Sequence, residues 1–272
     1  MRQMEKVMEN TYTKEINFLK KLLPSAYKKI IKGKPFTVEV KKGDIFNCDL
    51  VTDKDLAIEK YIKSKINEAF PGDKIIAEEF SAKEKCTGRS WILDPIDGTI
   101  NFAHKIAMWG IQSAFTVDGE CKFSVIYIPA LNELYVADEQ GLTINNKKYT
   151  VNKDTKVIEA VLSVSSFEIK NKPVCELQQQ LYLALSHKVS QVKQLGSSSY
   201  EYTQVASGRN NCYVIFTNNI WDYLPGMFVC KQAGCAIYET VYKGKQMCIV
   251  ANSEEILEFV KKTYLSLAKK LK

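Results

Sequence analysis

Trp91-Ile92-Leu93-Asp94-Pro95-Ile96-Asp97-Gly98-Thr99-Ile100-Asn101-Phe102 is the stretch around which the chain is organised. Three apolar residues deliver two carboxylates three positions apart, and a glycine and a threonine follow at once. This order reads as a buried strand that ends in an acidic turn. An apolar strand seldom ends in two acids around a proline unless something cationic balances them, because a buried unpaired carboxylate is costly. Pro95 holds the turn, and Gly98 lets the backbone approach a ligand. Asp94, Asp97 and the carbonyl of Ile96 can all point at one hard cation. Oxygen donors alone, in a chain whose only histidines are His104 and His187, favour Mg²⁺, with Mn²⁺ as a substitute, over zinc. Thr99 and Asn101 stand where the N–H groups of a helix start can meet a phosphate.

The 272 residues are 46% hydrophobic and 25% charged, an ordinary globular composition with length for one large unit or two joined halves. No apolar run approaches the roughly 20 residues of a membrane span, and the N-terminal stretch carries charges throughout, so neither a membrane association nor export is expected. The eight cysteines are scattered without a metal-knuckle or CxxC spacing, which fits a reducing cytoplasm. The net charge of +7 is spread along the chain rather than gathered into a stripe with interleaved aromatics. A nucleic-acid partner is therefore not expected, and a small anionic substrate accounts for the charge equally well.

Outward from the central stretch, residues 4–32 carry apolar positions at a helical period with a bend near Pro24. Gly33-Lys34-Pro35 breaks that helix. Residues 33–48, with Lys41-Lys42-Gly43, read as a loop or hairpin able to hang over a site as a lid. Leu50-Val51-Thr52 opens a second helix capped by Thr52 or Asp53, and Lys74 to Ala77 is a short strand leading into Glu78-Glu79. Downstream, Gly110–Val117, Cys121–Ile128 and Glu133–Ala137 form a meander, and Asn145-Asn146 turns into Lys147–Val151. Strands at 157–164, 188–192 and 211–216 then alternate with helices at 174–186, 198–207 and 224–233. Strands near 235–239 and 246–251 and a helix from Glu254 to Leu271 close the chain. The pattern predicts an α/β (α+β) fold of stacked layers, with residues 1–152 and 153–272 as two halves of one compact unit.

Four acids stand at strand ends or helix starts: Glu78, Asp94, Asp97 and Asp222. Each has a bland reading taken singly. Asp222 suits an N-cap, Glu78-Glu79 a solvated loop, and Asp55 a first-turn acid that favours the helix dipole. No GxSxG nucleophile motif is present, so a metal-activated water is the expected nucleophile.

Asp94 to Phe102 resembles the DPIDGTxNF signature of the inositol monophosphatase family. Ala77-Glu78-Glu79, Asp49-Leu50-Val51-Thr52 with Asp55, Gly196-Ser197-Ser198, and Trp221-Asp222 with Gly226 are similar to its further motifs, in its order. The resemblance implies an αβαβα layered sandwich, Mg²⁺-dependent hydrolysis of a small phosphate monoester, lithium sensitivity and a homodimer. It implies Glu78, Asp94, Asp97, Asp222 and the Ile96 carbonyl as ligands to two or three Mg²⁺. Thr99, Asp55 and Glu79 would carry the water-activating role, and Gly98, Thr99, Gly196 and Ser197 would contact substrate.

Inositol monophosphate is the default substrate under that resemblance, and fructose 1,6-bisphosphate, NADP and histidinol phosphate are alternatives. 3′-Phosphoadenosine 5′-phosphate is disfavoured, because relatives acting on it tend to carry Lys-Glu-Phe where this chain has Ile100-Asn101-Phe102. A binding protein that keeps the scaffold without catalysis is the reading from another class. The chain also departs from the pattern. Ile100 replaces a second threonine, Leu224-Pro225 replaces a pair of small residues, and Ile215 stands where a glutamate contacts inositol hydroxyls.

Overall fold

A computed structural model describes residues 11–42, 44 and 49–271. Two sheets and seven α-helices account for most of it. Strand β1 (Val38–Val40) pairs antiparallel with β2 (Leu50–Thr52) as a small ribbon. The first large sheet has the order β3 (Lys74–Ala77), β4 (Arg89–Asp97), β5 (Gly110–Val117), β6 (Glu120–Ile128), β7 (Glu133–Asp138), β8 (Gly141–Ile144) and β9 (Lys147–Tyr149). Every neighbouring pair in it is antiparallel except β3–β4, which α2 does not separate and a polar loop joins. The second sheet has the order β11 (Gln191–Lys193), β10 (Val161–Val164), β12 (Cys212–Thr217), β14 (Lys245–Ala251) and β13 (Ala236–Tyr242). Its first three strands are parallel, because helices connect them, and its last pair is a hairpin.

Five layers result. Helices α1 (Thr13–Ala26) and α2 (Asp53–Ala69) bury Leu19, Leu23, Ile58, Ile62 and Ile66 against Trp91, Phe115 and Phe123 of the first sheet. Helices α5 (Ser198–Ala206) and α6 (Ile220–Gln232) lie between the sheets, where Tyr202, Val205 and Val229 meet Ile126 and Tyr135 on one side and Tyr213 and Ile215 on the other. Helices α4 (Lys172–Ser186) and α7 (Glu254–Lys270) cover the far face of the second sheet through Leu177, Leu181, Ile256 and Val260. The short α3 (Thr99–Ala103) follows β4. This is the expected αβαβα sandwich. Among the described residues, no helix is long and apolar enough to cross a membrane.

Local departures from the sequence reading have physical causes. Leu50–Thr52 is strand rather than helix, since its backbone groups pair with Val38–Val40 and the helix starts only at Asp53. The first helix gives way after Pro24 to one wider turn, Tyr27–Ile31, in which the Lys32 N–H reaches the Tyr27 carbonyl. The apolar positions of residues 4–8, together with Gly43 and residues 45–48 of the lid segment, lie outside the described residues. Val157–Glu159 is a 3₁₀ turn that precedes β10 rather than part of it. β8 was not expected, because four residues behind a polar turn carry too little alternation to announce a strand.

Candidate active site

β4 solves a geometric problem. Residues three apart on a regular strand point to opposite faces, so Asp94 and Asp97 should diverge. The register against β5 shifts between these two residues, and the irregularity turns both carboxylates to one side. Asp222 joins them from α6, where it is the third helical residue rather than the N-cap. Oxygens of Asp94, Asp97 and Asp222 lie within 4.8 Å of one another.

Each acid is held differently. Asp97 sits at the start of α5: its Oδ1 accepts from the N–H and hydroxyl of Ser198 (3.2 and 2.9 Å), and its Oδ2 from those of Ser199 (2.7 and 2.6 Å) and from the Ser197 hydroxyl. Asp222 Oδ2 accepts from Thr217 Oγ1 at 2.8 Å and Asn219 Nδ2 at 3.1 Å. Asp94 is fully buried, and its Oδ1 has no hydrogen-bond partner among the described residues.

Pro225 lies in the second turn of α6, not the first, and so leaves the Trp221 carbonyl without its helical partner. Gln112 Nε2, from β5, donates to that carbonyl at 2.9 Å. A side chain of the first sheet thus replaces the lost bond one residue from Asp222.

Glu78 lines the same cleft, about 190 Å³ in volume, beside Asp94, Asp97 and Asp222. Its Oε1 pairs with Lys41 Nζ at 2.7 Å, and the same ammonium reaches Glu79 Oε1 at 2.9 Å. Buried Glu59 of α2 accepts from the N–H groups of Glu79 and Phe80 at 2.8 and 3.0 Å, which fixes the turn after β3. Neither glutamate belongs to a solvated loop. Asp55 is fully buried as well: its Oδ2 accepts from the Thr52 N–H at 2.8 Å and from the Thr52 hydroxyl in a reciprocal cap. Its Oδ1 faces Thr99 Oγ1 at 3.2 Å, and that hydroxyl also lies 3.0 Å from the Ile96 carbonyl.

Gly98 has φ +87°, and a Cβ there would lie 2.7 Å from Ser197 Cβ. The two expected substrate-contact segments, 98–99 and 196–197, therefore meet at van der Waals distance. The Asn101 side chain donates to the carbonyls of Met108 (2.7 Å) and Leu195 (2.6 Å) and ties the loops together.

The electrostatics are those of acids crowded out of water. Burial, then the charges of Glu78, Asp97, Asp222 and Asp55, push Asp94 well above the carboxylate range. Burial and the charges of Glu78 and Asp97 push Asp222 up to about 8. Burial also raises Asp55, to about 6, against its Thr52 hydrogen bonds, and raises Glu78. Lys41 stands above its ordinary value because the two glutamates outweigh its own burial. Carboxylates forced this close ionise together only beside added positive charge. An oxygen-only donor set with one unpartnered buried oxygen fits a hard divalent cation.

Sequence reasoning assigned no role to Lys41 beyond a lid segment, and none to Gln112, Glu59, Ser199, Thr217 or Asn219. Lys41, Gln112, Glu59 and Ser199 reach the acids or their neighbours from distant segments, whereas Thr217 and Asn219 stand within five residues of Asp222. Lys41 lies 37 residues before Glu78, and no local signal announced the pairing.

An αβαβα sandwich with a cluster of oxygen donors between its sheets is the build of a metal-dependent phosphatase. The chain belongs to the inositol monophosphatase family, whose model matches residues 9–267. It is 32% identical over 215 residues to a Thermotoga maritima protein named fructose-1,6-bisphosphatase/inositol-1-monophosphatase, covering 79% of this chain and 78% of that one. It is 31% identical to human inositol monophosphatase 2, covering 71% and 69% of the two chains. It is 30% identical to a Nus factor of Pasteurella multocida, covering 68% and 70%. A solved inositol monophosphatase of Thermotoga maritima superposes with a TM-score of 0.82 at 27% identity, over 95% of this chain and all of that one. The protein is thus a phosphatase of a metal-dependent family.

Proposed function

We propose that the protein hydrolyses a small phosphorylated polyol, with inositol monophosphate as the default substrate, at a Mg²⁺ site formed by Glu78, Asp94, Asp97, Asp222 and the Ile96 carbonyl. The observation that carries this reading is the approach of Asp94, Asp97 and Asp222 within 4.8 Å, beside a hydroxyl-lined pocket. Bound Mg²⁺, or Mn²⁺ in its place, would neutralise the acids and the phosphate and acidify a water. Two or three ions suit the number of acids.

The chain's own residues divide the remaining work. Asp55, locked by Thr52, accepts a hydrogen bond from the Thr99 hydroxyl, which leaves the Thr99 oxygen's lone pairs to accept from a water and orient it. Glu79 lies beside this pair, its backbone held by Glu59. N–H groups of Gly98 and Thr99 and the segment Gly196-Ser197 border the phosphate position.

A second pocket of about 170 Å³ shares Asp97, Gly196 and Asp222 with the acid cleft and suits the leaving group. Its wall of Ser165, Ser166 and Glu168 is braced by buried Gln178, which donates to Ser165 Oγ and the Ser166 carbonyl (both 3.1 Å) and accepts from the Glu168 N–H (2.8 Å). Ile215 contributes no acceptor, so recognition of polyol hydroxyls falls to the serines, Thr217 and Glu168, whose carboxylate is paired with Lys245 at 2.7 Å. The name of the Thermotoga relative supports fructose 1,6-bisphosphate as the second candidate. A homodimer, lithium inhibition and a cytoplasmic location belong to the same proposal, and sedimentation velocity checks the first.

The test is kcat/KM for inositol 1-phosphate, fructose 1,6-bisphosphate, NADP and histidinol phosphate, each with and without Mg²⁺. Inositol phosphate is expected to lead, with Glu168→Gln raising its KM and sparing p-nitrophenyl phosphate. Equal rates on all esters would contradict the polyol assignment, and no release from any would contradict the phosphatase site.

A further inference from the structure

Helix α6 ends in a closure that brings two thiols together. Gly234, at φ +87°, lets the chain turn back. The Cys235 N–H then bonds the Cys230 carbonyl at 3.0 Å, and the Gly234 N–H bonds the Lys231 carbonyl at 3.1 Å. These are the two crossed hydrogen bonds of a Schellman closure, in which the side chains at the third-last helical position and the second position past the cap touch. Here both are cysteine. The Cys230 thiol is within hydrogen-bonding reach of Cys235 as well as donating to the Tyr202 carbonyl.

The two sulfurs differ in access. Cys230 is fully buried, whereas Cys235 is partly exposed and lines a groove of about 480 Å³ with Cys121, Met227 and Lys231. The Cys235 N–H bond to the Cys230 carbonyl draws the two backbones together beside thiols in hydrogen-bonding reach, the close approach that a disulfide requires. The groove runs along α6 from Leu224 to Lys231 and shares no lining residue with the acid cleft.

We propose that Cys230 and Cys235 form a reversible redox site in which a hydroperoxide oxidises the accessible thiol and the buried one resolves it. The Cys235 sulfur attacks the peroxide oxygen, the O–O bond breaks, and Cys235 sulfenic acid and one water (or alcohol) result. The Cys230 sulfur then attacks the sulfenic sulfur, the S–O bond breaks, and a second water carries away the remaining thiol proton. The two thiols lose two electrons and two protons in all, and the peroxide accepts them. Burial holds the Cys230 thiol well above its ordinary value, which assigns first attack to Cys235 and resolution to Cys230.

The experiment treats the full-length protein with one equivalent of hydrogen peroxide, alkylates it under denaturing conditions, and maps the tryptic peptides. Cleavage after Lys231 separates the two cysteines unless sulfur joins them. The expected result is a fall from eight alkylated cysteines to six, a 230–235 link assigned by fragmentation, and its reversal by dithiothreitol. In Cys230→Ala the sulfenic acid on Cys235 should persist and be captured by dimedone, which should label the wild type far less. Phosphatase activity should be unchanged on oxidation, since the link follows an existing contact. A link of Cys235 to Cys212, which shares the Cys230 tryptic peptide, would overturn the proposal. So would an unreacted Cys235, its over-oxidation while Cys230 stays reduced, or loss of activity showing that α6 must move.

Discussion

At the scale of single residues, the acids of the cleft are not equivalent. Asp94 Oδ1 is buried without a partner among the described residues, whereas both oxygens of Asp97 serve the serines that begin α5. Removing charge from Asp94 relieves repulsion, but an amide at Asp97 turns one acceptor into a donor that faces donors. An unsatisfied buried group of that kind costs about 1–3 kcal/mol. In chelator, Asp94→Asn should therefore melt at or above the wild-type temperature and Asp97→Asn below it, and both should fail to hydrolyse substrate. Differential scanning fluorimetry decides the order, and the reverse order would contradict the assigned environments. Thr99→Ala should lower kcat by about 10²–10⁴-fold while Mn²⁺ binding, read by electron paramagnetic resonance, stays intact. An equal loss of binding would place Thr99 among the ligands instead.

The same acids set a pH dependence. Burial, with like charges, raises Asp222 to about 8 and Asp55 to about 6, both above their unfolded values near 4. Between these limits the folded chain holds more protons than the unfolded one, so stability falls as pH rises. Without metal, the melting temperature should decline from about pH 4.5 to pH 8. Mg²⁺ should raise it more at pH 8 than at pH 5, because the ionised cluster is the form that binds. A Mg²⁺ shift of equal size at both values would separate these acids from the metal.

At the scale of elements, α5 and α6 depend on close approach. A Cβ at Gly226 would lie 2.2 Å from the Tyr202 ring, so Gly226→Ala should cost about 1–3 kcal/mol, measured by urea unfolding. Wild-type stability there would mean that the helices separate freely. Elements of this kind explain what the sequence made legible. Strands with strict alternation or long apolar runs, such as β5 to β7, were readable to within a residue because burial dictates their pattern, whereas β4 continues through Asp97, beyond the Trp91–Leu93 run that announces it. Leu50–Thr52 was not, since pairing with β1 decided it, and neither was the start of α6, where Asn219 stands at the N-cap but turns its side-chain amide to Asp222 rather than to the helix N–H groups. In the site, local pattern pointed to Asp94 and Asp97, and the family resemblance added Asp222 to them. The serines around Asp97, Gln112 behind Pro225 and Lys41 across Glu78 and Glu79 depend on contacts between distant segments, and no local pattern encodes those.

At the scale of the whole molecule, the two helices between the sheets belong to both cores. Tyr202 and Val229 pack with β6 and β7 on one side and with β12 and β14 on the other. We propose on this ground that residues 1–152 and 153–272 unfold together, with calorimetric and van't Hoff enthalpies in agreement; two resolved transitions would contradict it. The cleft needs the same assembly, because Asp94 and Asp97 come from the first sheet and Asp222 from the helix that follows the second sheet's β12.

That convergence of three acids is the central claim, and a Mg²⁺ titration of phosphate release from inositol 1-phosphate tests it most directly. No release in chelator, and a saturable rise with Mg²⁺ that Asp94→Asn abolishes, is the predicted result. Release that persists in chelator, or that survives Asp94→Asn at saturating Mg²⁺, would contradict it.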